Sequence, residues 1–201
     1  MLKSPELEAG FSNIHAVLLA AGQASRYGSN KLLSIHPDSQ LPLLWHVCEQ
    51  YKLAGIERIT VITGHWHDAI CASAAEDIVI EYNSQWQSGL ASSVKLANQK
   101  VSSRDALLLG LGDQAGITAD GLAALCSAYQ PQVITVSQYD GLLGAPAIFP
   151  PSQRRTLTLL TGDQGAGKII RQRYQANPQA VNIVPLEEAA CDIDSPSDWL
   201  D

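Results

Sequence analysis

The sequence predicts a single α/β domain built on a doubly wound, mostly parallel sheet with helices on both faces. Seven short apolar segments alternate with helical patterns, an order typical of such sheets. The strand segments are nearly continuous runs of Val, Ile and Leu, which indicates strands covered on both faces. No internal repeat or linker composition divides the chain. We therefore expect one domain over residues 14–201, preceded by a short tail at residues 1–13.

Each element has its own signal in the apolar pattern. The predicted strands are HAVLLA (15–20), RITVITG (58–64), DIVIEY (77–82), DALLLGLG (105–112), QVITVSQY (132–139), APAIF (145–149) and AVNIVPL (180–186). Amphipathic stretches between them predict helices near residues 42–54, 66–75, 89–100, 118–129 and 164–175. Ligands of open α/β sheets bind outside the carboxyl ends of the strands, so polar residues that follow the strands are the candidates for a site.

Composition narrows the classes of partner. Thirteen basic and twenty acidic residues give a net charge of −7, which argues against nucleic acid as the main partner but leaves room for a small phosphorylated ligand. The longest apolar run, Ala16–Ala21, is far shorter than the ~20 residues that span a bilayer, so no membrane partner is expected. The first residues lack the pattern of a signal peptide. Four cysteines without a CxxC pair predict reduced thiols in a cytoplasmic protein.

Two glycine loops compete as phosphate-binding candidates. The second, GDQGAGK at residues 162–168, fits the GxxxxGK pattern of a nucleotide-triphosphate loop. That motif needs Ser or Thr after its lysine to hold Mg²⁺, and here Ile169 takes the place. Of the 201 residues only 33 follow Lys168, too few for the sheet that such a domain builds after its loop. We interpret this segment as a glycine turn that begins a helix.

The first loop, LLAAGQASRYGSNK at residues 18–31, follows a clear strand. Gly22 and Gly28 allow the backbone to approach a ligand closely, and successive N–H groups in such a turn form a concavity for anions. Arg26 and Lys31 are placed to close over a triphosphate, Arg as a fork and Lys as a point charge. The residues alone leave a second interpretation open, in which this is a flexible surface loop with two solvated cations.

Acidic residues after two strands suggest a metal site. Asp113 ends a very apolar run, where a carboxylate is costly unless it is paired or bound to a metal. Asp192 and Asp194 follow the last predicted strand, and the next residues, 195–198, resemble a capped helix start. Mg²⁺ takes one or two protein carboxylates and completes its shell with phosphates and waters. Asp113 and one of the two later aspartates therefore form the candidate site.

A set of motifs occurs in one order along the chain. They are LAAGxSxRxGxxK at residues 19–31, Asn-x-x-Trp-x-x-Gly at 83–89 followed by Ser92 and Ser93, the aspartate of Asp-Gln-Pro at 113, Gly-x-Pro at 144–146, Gly-Asp-x-Gly-Ala at 162–166, and the acidic ending at 192–198. From about residue 14 onward the chain resembles nucleotidyltransferases of the molybdenum cofactor cytidylyltransferase type. This group belongs to the glycosyltransferase-A-like NTP transferases, whose fold is Rossmann-like.

The resemblance implies a Mg²⁺-dependent enzyme that moves CMP from CTP to a phosphorylated acceptor, first of all molybdopterin cofactor, and releases pyrophosphate. A molybdoenzyme is a possible downstream partner. The implied catalytic residues are Arg26, Lys31 and Asp113. The implied nucleotide-binding residues are Leu19, Ala20, Ala21, Gly22, Arg26, Lys31, Gly89, Ser93 and Gly112. The implied acceptor-binding residues are Asn83, Trp86, Gly144, Pro146, Asp163, Gly165 and Lys168. The implied metal ligands are Asp113 and Asp194.

Departures from the family pattern concentrate on the acceptor side. Leu143 and Ala145 stand where polar or basic residues are common, Ala115 replaces the proline of Asp-Gln-Pro, and Gly167-Lys168 replaces a frequent arginine. The alternatives are therefore transfer to a sugar phosphate or another small phosphate, or a non-catalytic protein that binds nucleotide or cofactor for a molybdoenzyme. Trp86 has two open roles, to stack on a flat ring such as a pterin or to pack beneath its loop.

Overall fold

The computed structural model describes residues 10–24, 27–74, 78–191 and 193. Within these residues seven strands form one sheet: β1 (Ile14–Ala20), β2 (Ile59–Thr63), β3 (Val79–Tyr82), β4 (Ala106–Leu111), β5 (Ile134–Tyr139), β6 (Leu142–Phe149) and β7 (Val181–Pro185). The α-helices are α1 (Leu43–Leu53), α2 (His67–Ala72), α3 (Leu90–Lys100), α4 (Ala119–Ser127) and α5 (Gly167–Ala176). Short 3₁₀ helices cover Lys31–Leu33, Trp86–Ser88, Arg154–Leu159, Pro178–Ala180 and Glu187–Ala190.

The strand order is β3-β2-β1-β4-β6-β5-β7. All neighbouring pairs are parallel except those of β6, which runs antiparallel to β4 and to β5. The predicted mostly parallel sheet is thus confirmed. β6 begins at Leu142, three residues before the predicted start at Ala145, because a tight turn joins it to β5. Asp140 and Gly141 both have positive φ in this turn, the conformation that two-residue hairpins prefer.

Apolar side chains fill both faces of the sheet. Along β1, Ala16 and Leu18 belong to a core cluster with residues of α1 and α4, whereas Val17 and Leu19 belong to a second cluster with residues of α3 and α5. Alternate side chains of one strand therefore pack under different helical layers, as the period of two dictates. This arrangement confirms the doubly wound fold. Among the described helices, none is long and apolar enough to cross a membrane.

Parallel pairing brings the ends of three strands to one edge. Ala20 is level with Thr63 on β2, and Leu19 is level with Leu111 on β4. The loop after β1, the turn after β2 and the acidic segment after β4 consequently leave the sheet side by side.

The segment before GDQGAGK is not a strand. Residues 154–159 form a 3₁₀ helix, so the strand that precedes a nucleotide-triphosphate loop is missing here. Lys168 lies in the first turn of α5, and Ile169 is buried beneath it. The structure confirms a helix-starting turn at this position.

Residues 10–13 of the predicted tail lie against the domain. The Phe11 N–H donates to the Gly55 carbonyl, and the Arg58 guanidinium donates to the Ser12 carbonyl. The division into tail and domain at residue 13 stays a prediction.

Candidate active site

A cavity of about 400 Å³ opens where the ends of β1 and β4 meet the start of α3. Eight of its lining residues carry a predicted binding role: Leu19, Ala21, Gly22, Trp86, Gly89, Ser93, Asp113 and Asp163. These residues come from four separate stretches of the chain, and the fold gathers them around one space. Four further lining residues were not predicted from the sequence: Gln23, Gln87, Leu90 and Leu111.

The glycine loop after β1 is held by its neighbours on both sides. The Gly112 N–H donates to the Leu19 carbonyl (2.9 Å), and the His65 N–H donates to the Ala21 carbonyl (3.2 Å). The Trp66 indole N–H donates to the Gln23 carbonyl (3.1 Å). The described part of the loop is thus anchored to the ends of β2 and β4. Ser25 and the predicted catalytic residue Arg26 lie outside the described residues.

Gly22 faces open space. A Cβ atom built on it would have no protein atom within 4 Å, and its φ is outside the left-handed region. Neither packing nor backbone conformation therefore requires a glycine here, whereas Gly28 has a φ of +78° that favours one. The vacant space beside Gly22 belongs to the cavity, where a bound ligand can approach the backbone closely.

Lys31 and Asp113 form an ion pair at the cavity. Lys31 Nζ lies 2.6 Å from Asp113 Oδ2, and the two side chains are 12% and 24% exposed. Lys31 reaches this place from the 3₁₀ helix that follows the glycine loop, and Asp113 comes two residues after β4. The predicted cation and the predicted metal-binding carboxylate are therefore neighbours.

The chain segment that precedes the C-terminal aspartates runs beside Asp113. The Ile193 N–H donates to the Asp113 carbonyl (3.3 Å), and the Gly116 N–H donates to the Cys191 carbonyl (3.4 Å). A Cβ at Gly116 would lie 2.6 Å from the Glu188 carbonyl oxygen, so a side chain there would push the two segments apart. Asp192 and Asp194 lie outside the described residues, and the second metal ligand stays a prediction.

Asp113 is the predicted Mg²⁺ ligand that lies at the cavity. Its carboxylate lines the cavity beside the vacant space at Gly22. In the described part of the chain, no group of three or more His, Cys, Asp or Glu side chains is arranged to hold a metal ion. Mg²⁺ does not need such a cage, because phosphates and waters supply most of its ligands.

The second glycine loop packs against the start of α3. Gly89 has a φ of +102°, and a Cβ on it would lie 2.4 Å from the carbonyl carbon of Gly162. The Gly162 carbonyl accepts a hydrogen bond from the Ala91 N–H (3.0 Å), and Gly165 packs on Leu90. This contact places Asp163 at the cavity. Lys168 is half-buried in α5 and is not among the cavity's lining residues.

Asn83 organises the start of α3 from a buried position. Its side-chain amide donates to the hydroxyls of Ser92 (2.8 Å) and Ser93 (2.9 Å), and its oxygen accepts from the Gln85 N–H (2.9 Å). Ser93 lines the cavity, whereas Asn83 does not. If Asn83 affects acceptor binding as predicted, it would do so indirectly, by holding the Ser93 hydroxyl that lines the cavity. Trp86 lies at the cavity, with its ring edge-to-face against His65 at 5.1 Å.

The predicted acceptor turn, Gly144 to Pro146, lies outside the lining of this cavity. The peptide bond between Ala145 and Pro146 is cis. The Gln114 side chain connects this turn to the cavity, because its amide donates to the Ala145 carbonyl (2.9 Å). Gln114 was not predicted from the sequence, although it is the middle residue of the Asp-Gln-Pro motif.

A second cavity of about 380 Å³ lies beside the segment that follows Asp113. The buried rings of His36 and His46 line it and stack at 3.8 Å with an interplanar angle of 11°. Burial lowers the pKa of His46 below its ordinary value, and the neighbouring His36 lowers it further. No sequence motif marked this pair.

The fold, with its cavity at the open edge of a parallel sheet, is that of an α/β nucleotidyltransferase domain. The chain belongs to the MobA-like NTP transferase family, because the family model for the MobA-like NTP transferase domain matches residues 16–178.

Two curated relatives show how far the similarity extends. The bifunctional protein GlmU of Brevibacillus brevis is 32% identical over 122 residues, which are 60% of this chain and 26% of GlmU. The chain therefore spans about a quarter of that relative's length. Nicotine blue oxidoreductase of Paenarthrobacter nicotinovorans is 26% identical over 174 residues, which are 80% of this chain and 82% of the relative.

Solved structures share the fold over nearly the whole chain. Rv0371c from Mycobacterium tuberculosis H37Rv superposes with a TM-score of 0.79 at 24% identity and covers 94% of this chain and 96% of its own. A nucleotidyl transferase from Methanothermobacter thermautotroptrophicus reaches a TM-score of 0.81 at 19% identity, covering 94% and 95%. A further structure of Rv0371c is a complex with manganese, with a TM-score of 0.67, 22% identity and 89% coverage of both chains.

Proposed function

We propose that this protein transfers CMP from CTP to a phosphorylated acceptor, first of all molybdopterin cofactor, and releases pyrophosphate. One observation carries the proposal. The cavity joins the vacant space at Gly22 to the Lys31–Asp113 pair on one side and to Asp163 on the other. A triphosphate, a metal ion and an acceptor phosphate all need to meet in such a space for the reaction.

The chemistry needs no dedicated base. A phosphate oxygen of the acceptor, already ionised near neutral pH, forms a bond to the α-phosphorus of CTP. The bond from that phosphorus to the oxygen bridging to the β-phosphorus breaks, and pyrophosphate leaves with the electron pair. Catalysis of this kind rests on alignment and on neutralising charge in the transition state.

The chain's own residues supply that alignment. The glycine loop lets the phosphates approach its backbone, and Lys31 neutralises them together with Arg26, whose position stays a prediction. Asp113, with Asp194 as the predicted second ligand, would hold Mg²⁺, which would supply Lewis acidity at the phosphates and help to align them. Asp163, with the predicted residues Gly165 and Lys168 behind it, borders the acceptor's side.

The acceptor is the less constrained part of the proposal. Leu143, Ala145 and Lys168 depart from the family pattern, so a sugar phosphate or another small phosphate is the enzymatic alternative. A second class of function comes from the relative named nicotine blue oxidoreductase, which matches four-fifths of this chain. Redox chemistry of this sort would require a hydride carrier in place of CTP.

A binding screen separates these functions. Thermal unfolding is measured with CTP, GTP, ATP, UTP, NADH or NADPH, each with Mg²⁺, because a bound ligand raises apparent stability by mass action. We expect the largest shift with CTP. A shift with GTP and none with CTP would reverse the base assignment, and a shift with NADPH alone would favour a redox function.

Turnover is then measured as pyrophosphate released from CTP with molybdopterin cofactor or with sugar phosphates. Asp113→Asn should lower the rate by about 10²–10³-fold, the usual effect of losing one electrostatic group in a transition state. Asp120→Asn, at an exposed aspartate in the first turn of α4, is the matched control and should retain activity. If Asp113→Asn turns over as fast as the control, Asp113 is not the metal ligand. CTP binding without turnover on any acceptor would favour the accessory role for a molybdoenzyme. The cytoplasmic location stays a prediction.

A further inference from the structure

Gln114 lies directly after the predicted metal ligand and is buried, with 1% of its surface exposed. In the described part of the chain, the hydrogen-bond partners of its side-chain amide all belong to the main chain. Its Nε2 donates to the Ala145 carbonyl (2.9 Å) and to the Ala189 carbonyl (3.0 Å). Its Oε1 accepts from the Leu111 N–H (3.4 Å). Two donors and one acceptor are thus matched by two carbonyls and one N–H.

The three partners of Gln114 belong to three different parts of the site. Leu111 ends β4 and lines the cavity. Ala145 is the middle residue of the predicted acceptor turn. Ala189 is the second-last residue of the 3₁₀ helix Glu187–Ala190, and the predicted metal ligand Asp194 follows a few residues later. One uncharged side chain therefore connects the nucleotide side, the acceptor side and the C-terminal segment.

We propose that Gln114 is a positioning residue, which fixes Asp113 relative to the acceptor turn and to the C-terminal segment. This inference rests on the proposed transferase function. The Asp113 side chain is paired with Lys31, and the Asp113 carbonyl accepts one long hydrogen bond from the Ile193 N–H of the C-terminal segment (3.3 Å). The shorter hydrogen bonds from the Gln114 amide restrict more tightly the distance of residues 113 and 114 from Ala145 and from Ala189.

An amide suits this place better than other side chains. A carboxylate would direct negative charge at two carbonyl oxygens, and an apolar side chain would leave both carbonyls and the Leu111 N–H without partners in a buried site. A displacement of about 1 Å at reacting groups is enough to slow a reaction by roughly 10²-fold. Small movements of the acceptor turn or of the C-terminal segment should therefore lower the rate measurably.

The test compares Gln114→Met with Gln50→Met. Methionine matches the length of glutamine but cannot donate these hydrogen bonds. Gln50 is the control, since its amide oxygen caps α4 by accepting from the Ala119 N–H (3.0 Å), away from the catalytic cavity. Three quantities are measured for each variant: CTP affinity without metal, Mn²⁺ affinity in the presence of CTP by electron paramagnetic resonance, and the kcat and KM for the acceptor that supports pyrophosphate release.

For Gln114→Met we expect CTP affinity without metal within about twofold of the wild type, because none of the described hydrogen bonds of its side chain goes to the glycine loop. Mn²⁺ affinity with CTP present should fall roughly tenfold, and kcat should fall by about 10- to 100-fold while the acceptor's KM rises. Gln50→Met should leave all three unchanged. Gln114→Asn keeps the amide but is one methylene shorter, so it should show a partial loss.

The proposal is overturned if Gln114→Met binds Mn²⁺ like the wild type, or if both methionine variants lose activity by the same factor. It is also overturned if neither Gln114 variant folds, because the residue would then act on the fold itself. If the wild-type protein turns over no acceptor, the proposed transferase function fails, and the Mn²⁺ measurement alone decides the role of Gln114.

Discussion

The Lys31–Asp113 pair predicts that one substitution has opposite effects on metal binding and on turnover. Without nucleotide, the lysine ammonium occupies the carboxylate that the metal needs. With nucleotide bound, the same lysine is expected to neutralise phosphate. Lys31→Met should therefore strengthen the binding of free Mn²⁺ to the nucleotide-free protein, and it should lower the rate of CMP transfer.

The structure gives the size of each effect. The atoms of the pair are 2.6 Å apart, and both side chains are largely shielded from solvent. A hydrogen bond between charged groups contributes about 1.5–3 kcal/mol. Since about 1.4 kcal/mol corresponds to a tenfold change in an equilibrium constant, Mn²⁺ affinity should rise by roughly 10- to 100-fold. Loss of the positive charge of Lys31 beside the phosphates should lower turnover by about 10²–10³-fold.

Mn²⁺ titration followed by electron paramagnetic resonance measures the first effect, and pyrophosphate release measures the second. Lys100→Met is the matched control, because Lys100 forms a comparable ion pair with Glu81 (2.7 Å) away from the cavity. It corrects for the general loss of one positive charge. Unchanged or weaker Mn²⁺ binding by Lys31→Met, relative to this control, would refute the reasoning.

Three further predictions concern the loop, the fold and its response to pH. Gly22→Ala should keep the melting temperature and weaken CTP binding, because its methyl group fills cavity space. Gly28→Ala should instead lower the free energy of unfolding by about 1–2 kcal/mol, because φ is +78° at this position. Equal CTP affinity in Gly22→Ala and the wild type would contradict the role assigned to Gly22. Arg154→Met should lower the free energy of unfolding in urea by about 3–5 kcal/mol, since the buried guanidinium binds four main-chain carbonyls; a loss below about 1 kcal/mol would contradict this. The folded-state pKa of His46 is depressed, so its contribution to stability is complete above its ordinary pKa of 6.5 and is lost as the pH falls below that value. His46→Phe should therefore lose less stability than the wild type between pH 7.5 and 5.5 in urea titrations, and an equal loss would contradict this assignment.

The fold was predictable from the sequence because its signals are local. Runs such as ALLLGL in β4 pack under helices on both sides, and their unbroken apolar character reports that environment. The early start of β6 was missed although Asp140-Gly141 is typical of a two-residue hairpin turn, because Leu142, Leu143 and Gly144 include none of the β-branched or aromatic residues that mark a strand. Asp113 could be singled out as a candidate because it follows a strand, and ligands of such sheets bind at the carboxyl ends of the strands.

The remaining parts of the site depend on contacts between distant segments. Gln114 donates hydrogen bonds to the carbonyls of Ala145 and Ala189, which are 31 and 75 residues away in the sequence. The residues next to Gln114 give no indication of these bonds. The stacked rings of His36 and His46 likewise need the approach of two segments. Arg26 and Asp194 lie outside the described residues, and their roles stay predictions.

The stretch from Arg154 to Gly162 touches α3 at both of its ends. The guanidinium of Arg154 donates to the carbonyl of Asn98 in the last turn and to that of Val101 directly after it, and the Gly162 carbonyl accepts from the Ala91 N–H in the first turn. A helix clamped in this way resists sliding along its own axis. If substrates bind in the cavity as proposed, adaptation to their size would come from the loops that border the helix, because the Ser93 hydroxyl at the cavity is held in place by Asn83.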